Sequence, residues 1–307
     1  MKILMLIGLL CFAAGQTLAH ELSFETQLSL ESQKLAKSVD QVRAAAASRP
    51  DIGLAVEWVR IEGTDSNPLP AWKACGEGKG FCMGNDDRPG DASPTHEVKI
   101  KTFEMSKTLI TVEQYAECVI QDRCTEPASE GHGGYCNWGQ AGRQGHPVNC
   151  VSWFQANQYA KFKGARLPTE SEWEYAATSG GKNQKYPWGN EDATCERAVM
   201  YGNGGYGCGG GSTMPTCSKP AGNTAHGLCD MAGNVGQWVQ DAYQRSYAGA
   251  PEDGGAAEAA GDSRVLRGGA SHFSDARRLR ADRRSFESPA ISHGGIGFRL
   301  AQRLANH

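Results

Sequence analysis

Past its first nineteen residues this 307-residue chain has no apolar run long enough to cross a bilayer, which excludes stable membrane insertion through a helix. The one long apolar stretch, residues 3–14, is shorter than the ~20 residues a spanning helix needs. It follows Lys2 and precedes the small-residue sequence Thr17-Leu18-Ala19, the pattern of a secretory signal cleaved before His20. Cys11 lacks the small residues that a lipoprotein signal places ahead of its cysteine, so no lipid anchor is expected. Positive charge is also scarce. Without residues 1–19, 30 basic side chains stand against 34 acidic ones, a net charge of −4 that gives no electrostatic reason to expect nucleic acid as a partner. Tight cysteine pairs are missing as well: no two cysteines have the two-to-four-residue spacing of a zinc knuckle.

What is present fits an oxidising compartment, periplasmic or extracellular. Ten cysteines remain after the signal, an even number that reads as five disulfides. The spacings Cys75/Cys82, Cys118/Cys124 and Cys136/Cys150 suggest three local loops. Cys195, Cys208, Cys217 and Cys229 are left for two more, in a connectivity the sequence leaves open.

Three regions follow: a signal over residues 1–19, a helical segment over 20–50 and a larger domain over 51–307. Leu28, Leu35, Val39, Val42 and Ala46 line one face of a helix, which Arg49-Pro50 ends. Too few heptads are present for a coiled coil, so packing against the domain is expected. Beyond residue 55 the chain is rich in glycine, 39 in all and well above the usual ~7% share, so turns and loops should dominate. Residues 96–100 alternate polar and apolar and read as a strand. Residues 111–120 read as a helix. Thr169 and Glu172 form a capping box that should start another, burying Trp173 and Ala176 or Ala177 on one side. Trp173, Trp188 and Trp238 read first as core aromatics.

Seven motifs then stand in order: Phe81-Cys82-Met83-Gly84; His146-Pro147-Val148; Arg166-Leu167-Pro168-Thr169-Glu170-Ser171-Glu172-Trp173-Glu174; Tyr186-Pro187-Trp188-Gly189-Asn190; Gly227-Leu228-Cys229-Asp230-Met231-Ala232-Gly233-Asn234-Val235; Arg264-Val265-Leu266-Arg267-Gly268-Gly269; and Gly297-Phe298-Arg299. Together they resemble the formylglycine-generating enzyme, or sulfatase-modifying factor, family over roughly residues 56–304. The resemblance implies an α+β fold, the formylglycine-generating-enzyme variant of the C-type-lectin-like fold, with little regular secondary structure.

The resemblance also implies a chemistry that this chain departs from. Family enzymes oxidise a substrate cysteine with dioxygen, using copper held by two cysteines shortly before the Gly-Phe-Arg motif. Those two places fall at Ala276 and Ala281, and no cysteine follows Cys229. Soft thiolates hold Cu(I) and an alanine methyl has no lone pair, so copper is not expected and the usual route to formylglycine is closed. The family's Gly-Asn-x-Trp-Glu-Trp segment reads Gly233-Asn234-Val235-Gly236-Gln237-Trp238, so a pocket tryptophan has become Gly236 and an acid Gln237. That segment supplies a calcium site in the family. Carried over, the ligands would be Asp230, the carbonyls of Gly233 and Val235, and the Gln237 amide oxygen, with Asn/Gly turn geometry as the alternative.

Near the emptied position lie His272, Asp275, Asp282 and His293, with Arg277, Arg278, Arg280, Arg283 and Arg284 interleaved. Two imidazoles and a carboxylate could hold a non-heme metal of unspecified identity; solvated surface histidines are the alternative. The arginines read as an anion-binding floor or as structural partners of nearby acids. His272, Asp275, Arg280, Arg284, His293 and Trp238 are therefore the candidate pocket. The leading expectation is an oxygen-dependent oxidoreductase acting on a small-molecule or protein substrate other than a sulfatase. Cysteine-free relatives within the wider family resemble a periplasmic enzyme that oxidises a siderophore chromophore precursor. The rival expectation is a non-catalytic ligand- or protein-binding module, since fold does not dictate function.

Overall fold

A computed structural model describes residues 55–66, 80–87, 90–129, 135–258, 262–273 and 276–304. The signal sequence, the helix expected over 24–48, Cys11, Cys75 and Asp275 lie outside these residues.

The described fold is α+β. Strands β1 (Trp58–Ile61), β2 (Phe81–Met83), β3 (His96–Val98) and β4 (Phe103–Ser106) precede helices α1 (Val112–Ile120), α2 (Trp153–Phe162) and α3 (Glu170–Ala177). The chain continues through β5 (Gly236–Ala242), β6 (Arg264–Arg267), β7 (Arg284–Glu287), β8 (Ile296–Phe298) and β9 (Ala301–Arg303). A four-stranded sheet runs β7-β6-β5-β8, with β5 and β8 parallel and the other pairs antiparallel. A three-stranded antiparallel sheet runs β1-β4-β9, and β2 pairs with β3. The strand expected over 96–100 stops at Val98, where Lys99 turns its N–H to the carbonyl of Glu252 instead of a neighbouring strand.

All three helices begin with a capping box, in which the side chain at the N-cap and that of the third helical residue satisfy each other's free backbone N–H. Ser152 and Gln155 start α2 in this way, a signal present in the sequence although that helix is not among the expected elements. Helix α3 departs from a one-sided amphipathic pattern. All eight of its residues are buried, including Glu170, Glu172 and Glu174.

Buried carboxylates need partners, and arginines from other elements supply them. Arg166 grips Glu172 through two N–H···O contacts of 2.6 Å. Glu170 accepts from Arg267 Nη1 at 2.6 Å and from Arg284 Nε and Nη2 at 2.7 and 2.9 Å. Arg267 Nη2 reaches Glu174 Oε2 at 2.5 Å and also donates to the carbonyl of Ala281. One turn of helix is thereby tied to β6 and β7. Around this knot pack Trp173, Tyr175, Phe81, Phe103, Met105, Val239 and Val265, each at most 2% exposed.

Four disulfides, Cys118–Cys124, Cys136–Cys150, Cys195–Cys208 and Cys217–Cys229, staple the loops. The first two match the expected local loops, and the last two supply the connectivity the sequence left open. Cys82 is disulfide-bonded as well. Such bonds persist in oxidising surroundings, which fits an extracellular or periplasmic protein. Among the described residues no helix is long and apolar enough to cross a membrane.

Removing one partner of a buried ion pair strands the other charge, so Arg267→Met should cost about 3–5 kcal/mol in chemical denaturation. A loss below about 1 kcal/mol would show that the knot does not hold the fold. A second measurement concerns Asp241, which accepts the N–H groups of Glu170 and Ala257 at 2.7 Å each. Burial, with Glu170 adding to it, raises its pKa to about 7. The native state therefore keeps a proton that the unfolded chain, titrating near ~3.9, gives up. This contribution to stability is complete below the unfolded value and is lost as pH rises through about 7. The Asp241 contribution should make melting temperature fall between about pH 4 and pH 7, and Asp241→Asn should flatten that fall.

Candidate functional site

Two of the disulfides hold the walls of one region, and a third lies beside a would-be calcium ligand. Cys136–Cys150 fixes the backbone next to Tyr135. Cys195–Cys208 closes the loop carrying Tyr201 and Tyr206, whose tip is a tight turn with reciprocal Gly202 and Gly205 hydrogen bonds. Cys217–Cys229 sits beside Asp230. Between the first two and the segments 271–273 and 293–295 opens a cavity of about 270 Å3, walled by Tyr135, Tyr206, Ser212, Thr213, His272 and His293.

Buried amides hold these walls at fixed separation. Asn149, fully buried, donates to the carbonyls of Tyr135 and Gly294 at 2.8 and 2.7 Å and so joins two sides of the cavity. Asn137 donates to Thr213 Oγ1 at 2.9 Å, and that hydroxyl lies 2.9 Å from Nδ1 of His146. Burial, assisted by Arg143, lowers the His146 pKa to about 4, so its ring is neutral and Nδ1 accepts. The tyrosines meet edge to face, with Tyr206 5.7 Å from both Tyr135 and Tyr201, and each of the three is between 38% and 41% exposed. Gly295 has no room for a side chain, because a Cβ there would lie 2.4 Å from Cε1 of His272.

Of the five candidate pocket residues that are described, His272 and His293 line this cavity. Burial lowers the His272 pKa, and the neighbouring His293 and Arg278 add to the effect, so His272 is a neutral imidazole near pH 7. Nδ1 of His293 accepts the N–H of Gly295 at 3.2 Å. Trp238 is fully buried and gives its indole N–H to Val151, so it is core, not wall. Arg284 is consumed by Glu170 in the knot under α3. Arg280 is paired with Asp282 at 2.6 Å, and Asp282 also accepts from Asn85 at 2.5 Å. The carboxylate of Asp282 is thus spent on structure and not offered beside the histidines. Among the described residues no three side chains of metal-binding type cluster.

A second recess of about 70 Å3 shares His272, His293 and Gly295 with the cavity and is bounded by Gly236, Phe273, Arg278 and Arg283. Gly236 lines this recess without a side chain to fill it.

The two alanines are placed differently. Ala276 opens a short 3-10 turn, Ala276–Leu279, and is half-buried. Ala281 is 1% exposed within the core, its N–H on Lys185 and its carbonyl on Arg267. Every described cysteine is disulfide-bonded, so none offers the thiolate that the family's copper requires, and that group does not fit.

The calcium set does not fit either. The Gln237 amide oxygen accepts from Trp173 Nε1 at 2.8 Å and from Arg299 Nε at 2.7 Å, which uses both its lone pairs. Its amide nitrogen faces the carbonyl of Asp230, so the network dictates the orientation. Arg299 also donates to the carbonyls of Ser106 and Cys229. Burial lowers it to about 10, so it stays charged at neutral pH. A buried guanidinium thus already holds the oxygen that would have to complete the calcium set. Melting curves in chelator and in millimolar calcium should therefore superimpose; a rise with calcium would show that the ion displaces Arg299 from Gln237.

Tyr135, Tyr206, Thr213 and Asn149 were not among the candidates. Their available signal was proximity to disulfide cysteines and glycine-rich turns, which marks a supported loop without telling which way it faces.

Comparison with known proteins places this geometry. The sulfatase-modifying factor enzyme 1-like domain matches residues 75–304. A formylglycine-generating enzyme of Streptomyces coelicolor is 38% identical over 179 residues, 52% of this chain and 54% of that protein. The inactive C-alpha-formylglycine-generating enzyme 2 of Mus musculus is 35% identical over 163 residues, 50% of this chain and 48% of that one. The chain thus spans about half the length of the curated relatives it matches. Among solved structures, PvdO from Pseudomonas aeruginosa superposes with a TM-score of 0.66 at 26% identity, over 82% of this chain and 96% of that one.

Proposed function

Because the chain belongs to the sulfatase-modifying factor enzyme 1-like family, we propose that it is an exported member of that family that oxidises a small non-sulfatase substrate in the His272/His293 cavity. The observation that carries this reading is the exchange of chemistry at one place. Where family enzymes hold copper through sulfur, this chain has Ala276 and a core-buried Ala281, and the segments that flank them in sequence, 271–273 and 293–295, help wall a cavity of aromatic rings and two imidazoles.

Aromatic edges and faces suit a flat ring, and the tyrosines present both. A neutral imidazole can take the proton of a bound phenol, and the electron-rich phenolate that results is the form that gives up electrons to dioxygen. A catechol loses both hydroxyl hydrogens to become the quinone, or a para-alkyl phenol its hydroxyl and benzylic hydrogens to become the quinone methide; in either case two electrons and two protons pass to dioxygen, which leaves as hydrogen peroxide. His272 is the proton acceptor on this reading, since its depressed pKa keeps it unprotonated. The disulfides and the signal-like residues 1–19 support a periplasmic or secreted setting.

The test is oxygen uptake and peroxide formation by the full chain with a panel of catechols and para-alkyl phenols, alongside mass spectrometry of a cysteine-containing sulfatase peptide. Uptake matched by peroxide, a fall of about 100-fold or more in kcat for His272→Ala, and an unmodified peptide are expected. An aldehyde on the peptide would overturn the reading. Binding of the phenols without uptake would assign the cavity to a ligand-binding module instead.

A further inference from the structure

The five arginines between residues 277 and 284 do different work. Arg280 and Arg284 are spent on Asp282 and Glu170. Arg278 and Arg283 are exposed, line the 70 Å3 recess, and form no ion pair within 4.0 Å with any described carboxylate. Arg267 touches the same recess, but both its terminal nitrogens are taken by Glu170, Glu174 and Ala281. Glu287, also at the margin, lies across the β6/β7 pair from Arg264.

Arg278 is held ready. Its guanidinium stacks over the Phe273 ring at 4.7 Å, and the Phe273 ring lies 4.4 Å from that of His272. A guanidinium held over a ring face still has N–H groups to offer an anion, and that contact reduces the freedom lost on binding. His272 in turn meets Tyr206 at 6.2 Å. An unbroken row, Tyr206, His272, Phe273 and Arg278, thus leads from the aromatic cavity to the basic recess.

We propose that the two recesses form one binding site for an aromatic ligand carrying a carboxylate, the ring lying among Tyr135, Tyr206 and His272 and the anionic group meeting Arg278 and Arg283. This rests on the cavity being the functional site and adds the substrate class. Gly236 makes the second half accessible: a Cβ there would already lie 3.3 Å from the carbonyl of Gly295. A larger side chain would occupy the space the carboxylate needs.

The experiment is calorimetric titration of the full chain with 4-hydroxyphenylacetate and with its neutral amide, which share ring and hydroxyl and differ in charge. The acid should bind about tenfold tighter, with the preference shrinking in high salt. Arg278→Gln with Arg283→Gln should bring the acid down to the affinity of the amide, while Arg123→Gln, on an exposed turn elsewhere, should preserve the difference. Melting curves check that each variant is folded. Equal affinity for acid and amide, a preference that survives the double substitution, or failure of both probes to bind at millimolar concentration would overturn the proposal. Oxygen uptake on the same samples separates it from the reading it rests on. Charge preference without uptake sinks the oxidase and leaves this site standing. Uptake that is equal for acid and amide does the reverse.

Discussion

The structure turns on a single carboxylate. Glu170 accepts two guanidinium groups from different strands, and its own N–H is taken by Asp241 in a third. Helix α3, β5, β6 and β7 therefore meet at one residue. Burial works against the ionised carboxyl, but Arg284 and Arg267 more than offset it and hold its pKa below the ordinary range. With so little regular secondary structure, few backbone ladders are available to orient the sheets, and this charged centre does what a longer hydrophobic interface would do elsewhere. The arrangement also accounts for Ala281. Its carbonyl accepts from Arg267 and its methyl lies in the core, so the position has become part of the scaffold.

Local features were legible in the sequence where a short-range rule governs them. The Thr169/Glu172 capping box, the helix over 112–120 and two of the close cysteine pairs are all decided within a few residues. The family motifs led to the fold. What could not be read was which side of an element is buried. Helix α3 carries three acids in its first five residues and would pass for a solvated helix, yet arginines more than 90 residues away bring Glu170 and Glu174 inside. The arginine run shows the same difficulty at finer scale. Of similar side chains within eight positions, Arg280 and Arg284 enter ion pairs while Arg278 and Arg283 line a basic recess, according to contacts with Asp282 and Glu170 that no spacing rule encodes.

Calcium illustrates how a motif can be kept while its chemistry changes. Asp230, Gly233 and Val235 stand in order, but the residue that would complete the set is an amide whose oxygen is fully engaged by Trp173 and Arg299. Neutral Gln237 tolerates the guanidinium as a hydrogen-bond donor and ties β5 to the segment after β8. The cavity is built from local pieces, in which loops anchored by Cys136–Cys150 and Cys195–Cys208 present tyrosines toward His272 and His293. Such short staples confer local rigidity where glycine-rich backbone would otherwise wander.

The strand order has a consequence for biogenesis. Every disulfide resolved here closes a loop of 6 to 14 residues, whereas β4 waits for β9 and β5 waits for β8, with Arg299 between them binding the carbonyls of Ser106 and Cys229. Loops can therefore be locked as soon as they reach an oxidising compartment, but neither large sheet is complete until residues 296–303 have followed. Pairings this distant in sequence form slowly and leave apolar edges uncovered meanwhile. A polypeptide of this design spends its longest folding interval already stapled and still open, the state in which a chaperone would have most to do.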